Sequence, residues 1–424
     1  MKKLILTALS LLAAAQIFAQ TTREDIYSNP ELSAGLLCVY PGPQGTPTKA
    51  PKGYKPFYIS HFARHGSRYL ADMEKYTTVL DALRDASKAD ALTDLGKDLL
   101  SRIEIIWADA RGRDGELTRK GVEQHRGIAE RMYRNYPQVF KGDVFMTARS
   151  TQVPRCMLSM DAFCERLKEL NPDLRISRDA SGRDRKYISA RTKEYEAYIK
   201  EHDITPGLYE WCESCVHPDR LTASVFSSQE YIDAHVDKST FMLNLFEIAG
   251  DMQDVDLDIS LYDLFQKEEL YDLWQSRNAS FYGGRGPNIY GGEVLMKRSI
   301  ALLKHILETA DEAIETGNSA ATLRFSHDSY LAPLCTTMRL SDCMGTATSW
   351  DQIAGVWSNY KVAPMAGNVQ LVFFRNKAGD VIVKFLHNEA EVGIPAETDI
   401  YPFYHWDDVK AYYQTTYDYI NEKY

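Results

Sequence analysis

The chain has 424 residues, 44% of them hydrophobic and 25% charged, and a formal net charge of −10. These proportions fit a folded globular protein and exclude collagen-like, coiled-coil and disordered classes. The acidic balance argues against nucleic acid and anionic membrane surfaces as partners, so an anionic substrate must be met by a local group of cations.

The chain opens MKKLILTALSLLAAAQIFAQ: two lysines, an apolar run over 4–15, then small residues. That pattern predicts a secretory signal peptide over 1–19, cut after Ala19 or Ala15. The apolar run is too short to span a bilayer. The expected location is periplasmic or secreted, and loss of Lys2 and Lys3 takes the charge to −12. The length allows two or three domains, or one large domain with an insertion.

Residues 55–62, aromatic and β-branched, predict a strand. Helical periodicity follows over 73–87 and 94–111, then over 117–136 up to Pro137. Residues 143–148 (DVFMTA) read as a short strand, followed by a helix over about 150–170 with Pro154 near its start. Residues 171–290 change character, becoming Tyr- and charge-rich and mainly helical, and close on GGRGPNIYGG (283–292). A helix is expected over 293–316, a strand over 321–326 and a helix over 330–338. Strands over 368–375 and 380–387 are joined by NKAG, a hairpin signal, and a Tyr-rich helix closes the chain over 406–422. Strands alternating with helices at both ends imply an α/β sheet. The expected division is a core of 20–170 and 291–424 with a mainly helical cap, 171–290, inserted into it.

Seven cysteines occur. An exported chain can form disulfides, but an odd number leaves one thiol over. On one helix, Cys156 and Cys164 would lie about 12 Å apart, too far to pair. Cys212 and Cys215 are spaced for a local bridge. With His217 they offer a partial metal site, short of the four ligands zinc needs. Asn278-Ala279-Ser280 is a glycosylation sequon, expected to be unmodified.

Three strands end in residues suited to anion chemistry. The first runs into Arg64-His65-Gly66-Ser67-Arg68, the second into Arg149-Ser150-Thr151, the third into His327-Asp328. Arginines repel one another and resist burial, so an anion is expected between them. In α/β sheets ligands bind beyond the carboxyl ends of the strands, where helix N-termini favour anions. If the three strands are adjacent and parallel, Arg64, Arg68 and Arg149 grip a tetrahedral oxyanion through forked donors. His65 then attacks phosphorus, kept neutral by the surrounding cations, and Asp328 protonates the leaving alkoxide. Taken singly, Arg149 reads as a surface residue and Asp328 as a helix cap.

RHGSR (64–68), LTRKGVEQH (117–125), ARSTQVPR (148–155) and HD (327–328) occur in the order found in the histidine acid phosphatases, the larger branch of the histidine phosphatase superfamily, which the sequence resembles. MAGNVQLVFF (365–374) and VKFLHNE (383–389) resemble the multiple inositol polyphosphate phosphatases of that family. The resemblance implies a phosphoglycerate-mutase-like three-layer core with a mixed, mostly parallel sheet and an inserted helical cap. It implies His65 as nucleophile, Asp328 as proton donor, and Arg64, Arg68, Arg149 and His327 as phosphate clamp, with no metal and no organic cofactor. Two departures stand out. Many members have Pro two residues after RHGxR, where this chain has Leu70. The inositol polyphosphate phosphatases carry His-Ala-Glu or a variant where this chain reads His327-Asp328-Ser329, so tail and acid motif point to different subgroups. Arg183, Arg185 and Lys186 are candidates for further phosphates, or a solvated charge run.

The expected activity is therefore hydrolysis of a small phosphate ester, with inositol polyphosphates such as phytate as the first substrate class. A broad-specificity or sugar-phosphate phosphatase is the near alternative. A phosphate-binding protein without catalysis, and a phosphomutase of the shorter branch, are further ones; Asp328 argues against the former, the signal peptide and His-Asp pair against the latter.

Overall fold

Four parallel strands form the first half of a single sheet: β1 (Lys55–Arg64), β2 (Phe145–Ser150), β3 (Arg175–Asp179) and β4 (Ala321–Ser326). The second half holds β5 (Asn368–Arg375), β6 (Val381–His387), β7 (Ala390–Val392) and β8 (Phe403–His405). The order is β3-β2-β4-β1-β5-β6-β7, with β8 also paired to β6. Five strands, β1 to β4 and β6, run in one direction, so the sheet is mixed and mostly parallel. The computed structural model describes residues 23–43, 45–189 and 192–424. The expected signal peptide, 1–19, lies outside the described residues.

Alternation along β1 feeds two cores, as a strand buried on both faces requires. Ile59 and Ala63 pack with Ile128 and Met132 of helix Arg119–Asn135 and with Phe163 and Leu167 of helix Pro154–Leu170. Tyr58 and Phe62 face the other way, onto helices Ile300–Thr316, Asp328–Met338 and Trp406–Lys423. The result is helix, sheet, helix. A third core lies outside these layers. Leu80, Leu83, Leu99 and Ile103 of helices Glu74–Lys88 and Asp94–Ala110 pack there with Phe241, Leu245 and Trp274 of helices Lys238–Asp251 and Lys267–Gly283. The helical layer thus draws on 74–110 as well as on residues beyond 170.

Three local expectations differ from the structure. Within 171–290, RISRD forms β3 on the edge of the main sheet beside β2; its charged residues mask the strand because an edge strand keeps one side in water. The helix expected over 293–316 is broken: Gly292–Arg298 forms a 3-10 turn, and the α-helix runs from Ile300. Arg298 there donates to the carbonyl oxygens of Gly284 and Ser329, contacts that periodicity cannot register. Cys212 and Cys215 are not bridged; all seven cysteines are free. Asn278 is buried in helix Lys267–Gly283, its amide donating to Trp357 O and accepting from Asn359 N.

Candidate active site

The register brings three strand ends level. Arg64 pairs with Ser326, and Ser150 with Phe325. His65, Thr151 and His327 therefore leave three neighbouring parallel strands side by side, and the His65 and His327 ring centroids are 5.5 Å apart. Helix Pro154–Leu170 begins after β2, with Pro at its first position, and helix Asp328–Met338 begins directly after β4. Both turn N-termini toward this level.

His65 is 2% exposed. Its Nδ1 lies 2.9 Å from Gly66 O. A carbonyl oxygen only accepts, so Nδ1 carries the hydrogen and Nε2 keeps its lone pair. Burial, then Arg64, Arg155 and Arg68, hold the imidazole pKa well below its ordinary value. A neutral, correctly tautomeric imidazole is what a nitrogen nucleophile needs. His327 is lowered to about 4 by burial, Arg155, Arg64 and Arg68, against the pull of Asp328. Its Nε2 lies 3.3 Å from Thr151 Oγ1.

Asp328 pairs with Arg64, Oδ2 to Nη2 at 3.0 Å. Burial pushes its pKa up, but Arg64, Arg285, Arg68 and His327 outweigh burial and hold it below the ordinary value. It is the first residue of its helix, and His327 holds the N-cap position before it. Arg64 is anchored elsewhere by Nη1, which donates to Leu36 O and Ala363 O at 2.6 and 2.7 Å.

Arg149 is not brought to this group. It lies on β2 and donates to Ala148 O and Ser177 O, with Asp184 at 3.7 Å. The expectation that it joins the clamp is corrected: alternation along β2 puts it on the face opposite Met146 and Ala148, where Ser177 O and Asp184 hold it. Arg155, the second residue of helix Pro154–Leu170, is instead the third arginine whose charge acts on His65 and His327. Nε of Arg64, Arg68 and Arg155 is buried in each case and donates to no group among the described residues. Buried guanidinium donors without acceptors are costly, which fits a site built for an anion. The sequence contains Arg155 at the end of ARSTQVPR; only the helix start distinguishes it from Arg149.

The LTRKGVEQH segment holds the RHGSR loop. Leu117 bridges Arg68, and Thr118 bonds Ser67 O through both its N–H and its hydroxyl. Thr118 also caps helix Arg119–Asn135 by accepting from Gly121 N. A Cβ on Gly66 would sit 2.5 Å from Gly121 O, and one on Gly121 would sit 2.3 Å from Ser67 O. Neither position tolerates a side chain. Gln124 accepts from Ser67 N and donates to Ser67 Oγ.

Two buried acids that sequence reading does not find support the loop from the helical layer. Asp254 accepts from Ser67 Oγ at 2.5 Å. Asp251 accepts from Leu70 N and the Tyr76 hydroxyl. Their partners stand some 180 positions earlier in the chain, so no local pattern could signal them.

A cavity of about 320 Å³ opens over Arg64, Arg68, Arg285 and Asp328, and Lys75 and Arg277 also line it. A smaller one, about 270 Å³, lies on the other side of His327 and takes in Arg185. Arg183 is exposed and paired with Asp179, and Lys186 is exposed. Of that triplet, then, Arg185 alone shares a cavity with a strand-end residue. The Cys212–Cys215–His217 reading as a metal site is not met: Cys212 donates to Ser276 O and Cys215 to Trp211 O.

The model of the histidine phosphatase superfamily, branch 2, matches residues 62–388. Among solved structures, a Bifidobacterium longum multiple inositol polyphosphate phosphatase in complex with phosphate is 20% identical, covering 91% of this chain and 98% of its own, with a TM-score of 0.76. The phytase from D. castellii is 15% identical over 91% of this chain and 85% of its own, at 0.68. A Hafnia alvei phytase in complex with tartrate is 12% identical over 87% and 98%, at 0.56. No curated protein matches the chain. At these identities the solved structures establish the fold, while the family model spans from the end of β1 to just past β6. By that match the chain belongs to the histidine phosphatase superfamily, branch 2.

Proposed function

We propose that this protein is an exported phosphomonoesterase acting on inositol polyphosphates such as phytate through a phosphohistidine at His65. His65 Nε2 attacks phosphorus, and the ester P–O bond breaks. The leaving alkoxide takes a proton from Asp328. Water then attacks the phosphohistidine, Asp328 takes back a proton, and inorganic phosphate departs. Arg64, Arg68, Arg155 and His327 hold the three phosphoryl oxygens and their growing charge. Asp328 must be protonated at the first step. A bound phosphate dianion raises its pKa toward that state. The helical layer of Glu74–Lys88, Asp94–Ala110, Lys238–Asp251 and Lys267–Gly283 acts as a cap that shapes substrate choice.

The observation that carries the reading is the grouping of a neutral His65, its Nε2 unprotonated, with three guanidinium groups and one carboxyl group at adjacent strand ends. Brief incubation with ³²P-labelled phytate followed by quenching tests it. Label on protein that survives alkali, is lost in acid and is absent in His65→Ala is the expected result. A chain that binds phosphate but never carries label would be a binding protein instead. Export is checked by the N-terminus of protein recovered outside the cytoplasm, expected at Gln20 or Gln16.

One observation favours a broader substrate range. Glu247 pairs with both Lys75 and Arg277 in the cavity wall, which reduces the charge offered to a polyphosphorylated ring. Rates on phytate, glucose phosphate and an aryl phosphate separate the two. Phytate hydrolysed no faster than the simple esters would assign the enzyme to the broad class.

A further inference from the structure

A second cluster of reactive side chains lies at the far end of helix Asp328–Met338. Cys335 is on that helix, Cys343 on the loop after it, and His387 at the end of β6. All three are buried, and one donor atom from each lies within 4.8 Å of the others. This is the only such grouping of three His, Cys, Asp or Glu among the described residues. His387 Nε2 lies 2.8 Å from Val362 O, which fixes its hydrogen there. Nδ1 donates to Asp342 Oδ2 at 2.6 Å, an ion pair, and lies 3.6 Å from Cys343 Sγ. Asp342 Oδ1 is 3.3 Å from Cys343 Sγ.

We propose that Cys335, Cys343 and His387 bind a zinc ion and that Asp342 turns in as fourth donor: its Oδ2 now pairs with Nδ1 at 2.6 Å, and the pair opens to the about 3.3 Å of tetrahedral nitrogen and oxygen ligands when zinc replaces the Nδ1 proton. With Zn–S near 2.3 Å and Zn–N near 2.05 Å, tetrahedral geometry puts sulfur and nitrogen about 3.6 Å apart, which is the separation found. Two sulfurs, one imidazole and one carboxylate suit Zn²⁺ better than a hard cation. The Val362 carbonyl supplies the outer hydrogen bond that orients a ligating histidine. Binding releases the two thiol protons and the Nδ1 proton now shared with Asp342, and leaves Nε2–H in place. With four protein donors and no open position, the site is structural. It ties β6 to the helix that presents Asp328 about 10 Å away along its axis. It also steadies Val362, next to Ala363, whose carbonyl accepts from Arg64.

The test uses the full chain, purified under reducing conditions and supplied with Zn²⁺, then freed of excess metal. Elemental analysis is expected to find about one zinc per chain, falling at least tenfold in Cys343→Ser and His387→Ala. Cys212→Ser/Cys215→Ser is expected to retain it. If the ligand variants do not fold, Co²⁺ replaces Zn²⁺ in the unmutated chain, where thiolate-to-cobalt absorption is expected. Reduced protein that retains no zinc and shows no such absorption overturns the proposal. So does zinc that persists in both folded ligand variants. A Cys335–Cys343 disulfide in protein isolated without reductant, with no metal uptake after reduction, assigns the cluster to a covalent bridge.

Discussion

His65 is neutral because it is buried among cations, and that sets how it responds to pH. Its pKa lies well below 6.5 in the folded chain. The imidazole therefore stays unprotonated as pH falls through 6.5 and gains a proton only at the lower folded value. After correction for substrate ionisation, kcat/KM is expected to hold through that range; an acid limb centred on 6.5 would contradict this. Asp328 is expected to matter in proportion to leaving-group basicity. Asp328→Asn should lower kcat about 10²- to 10⁴-fold on an alkyl phosphate and far less on an aryl phosphate. Arg155 and Arg149 offer a matched pair, six positions apart. Arg155→Ala should cost about 10²- to 10³-fold in kcat/KM, the size of a lost oxyanion donor. Arg149→Ala should cost less than about tenfold, because its partners are Ser177 O and Asp184.

At the level of elements, the site is made by two surfaces that touch without side chains between them. The RHGSR loop and the first turn of helix Arg119–Asn135 meet at Gly66 and Gly121. Gly121→Ala should force the loop outward. It is expected to destabilise the fold by about 1–3 kcal/mol, the usual cost of overpacking, and to lower kcat with it; denaturant titration and kinetics on one preparation check both. The strand ends at 64, 150 and 326 could be read from apolar runs that stop in charged or polar residues. β3 could not, because RISRD has the composition of a surface loop and becomes a strand only beside β2. The break before Ile300 is of the same kind: the apolar stripe continues through it, and Arg298 and Ser299 settle the backbone by bonds to Gly284, Ser329 and Thr337.

Across the whole molecule, buried neutral histidines tie stability to pH. Burial, with His125 and Arg324 nearby, lowers His61 to about 3, and burial lowers His125 to about 3. Unfolded, each titrates near 6.5, so between those values the unfolded chain binds more protons and stability falls as pH falls. Each contributes roughly 1.4 kcal/mol per pH unit across that window. Denaturant midpoints measured from pH 7 to 4 should drop, and the slope should flatten in His61→Phe, which keeps the stacking on Phe163. The sequence by itself determined the α/β class, the positions of the main strands, and the residue types at three strand ends, because hydrophobic periodicity and abrupt polar endings are local properties. Only the tertiary structure decided which arginine faces His65, and that Asp251, Asp254 and Gln124 stand behind the loop. It also decided that Cys335, Cys343 and His387 meet. These choices depend on which way a side chain leaves its strand or helix and on what another segment, often more than a hundred residues distant, places opposite it.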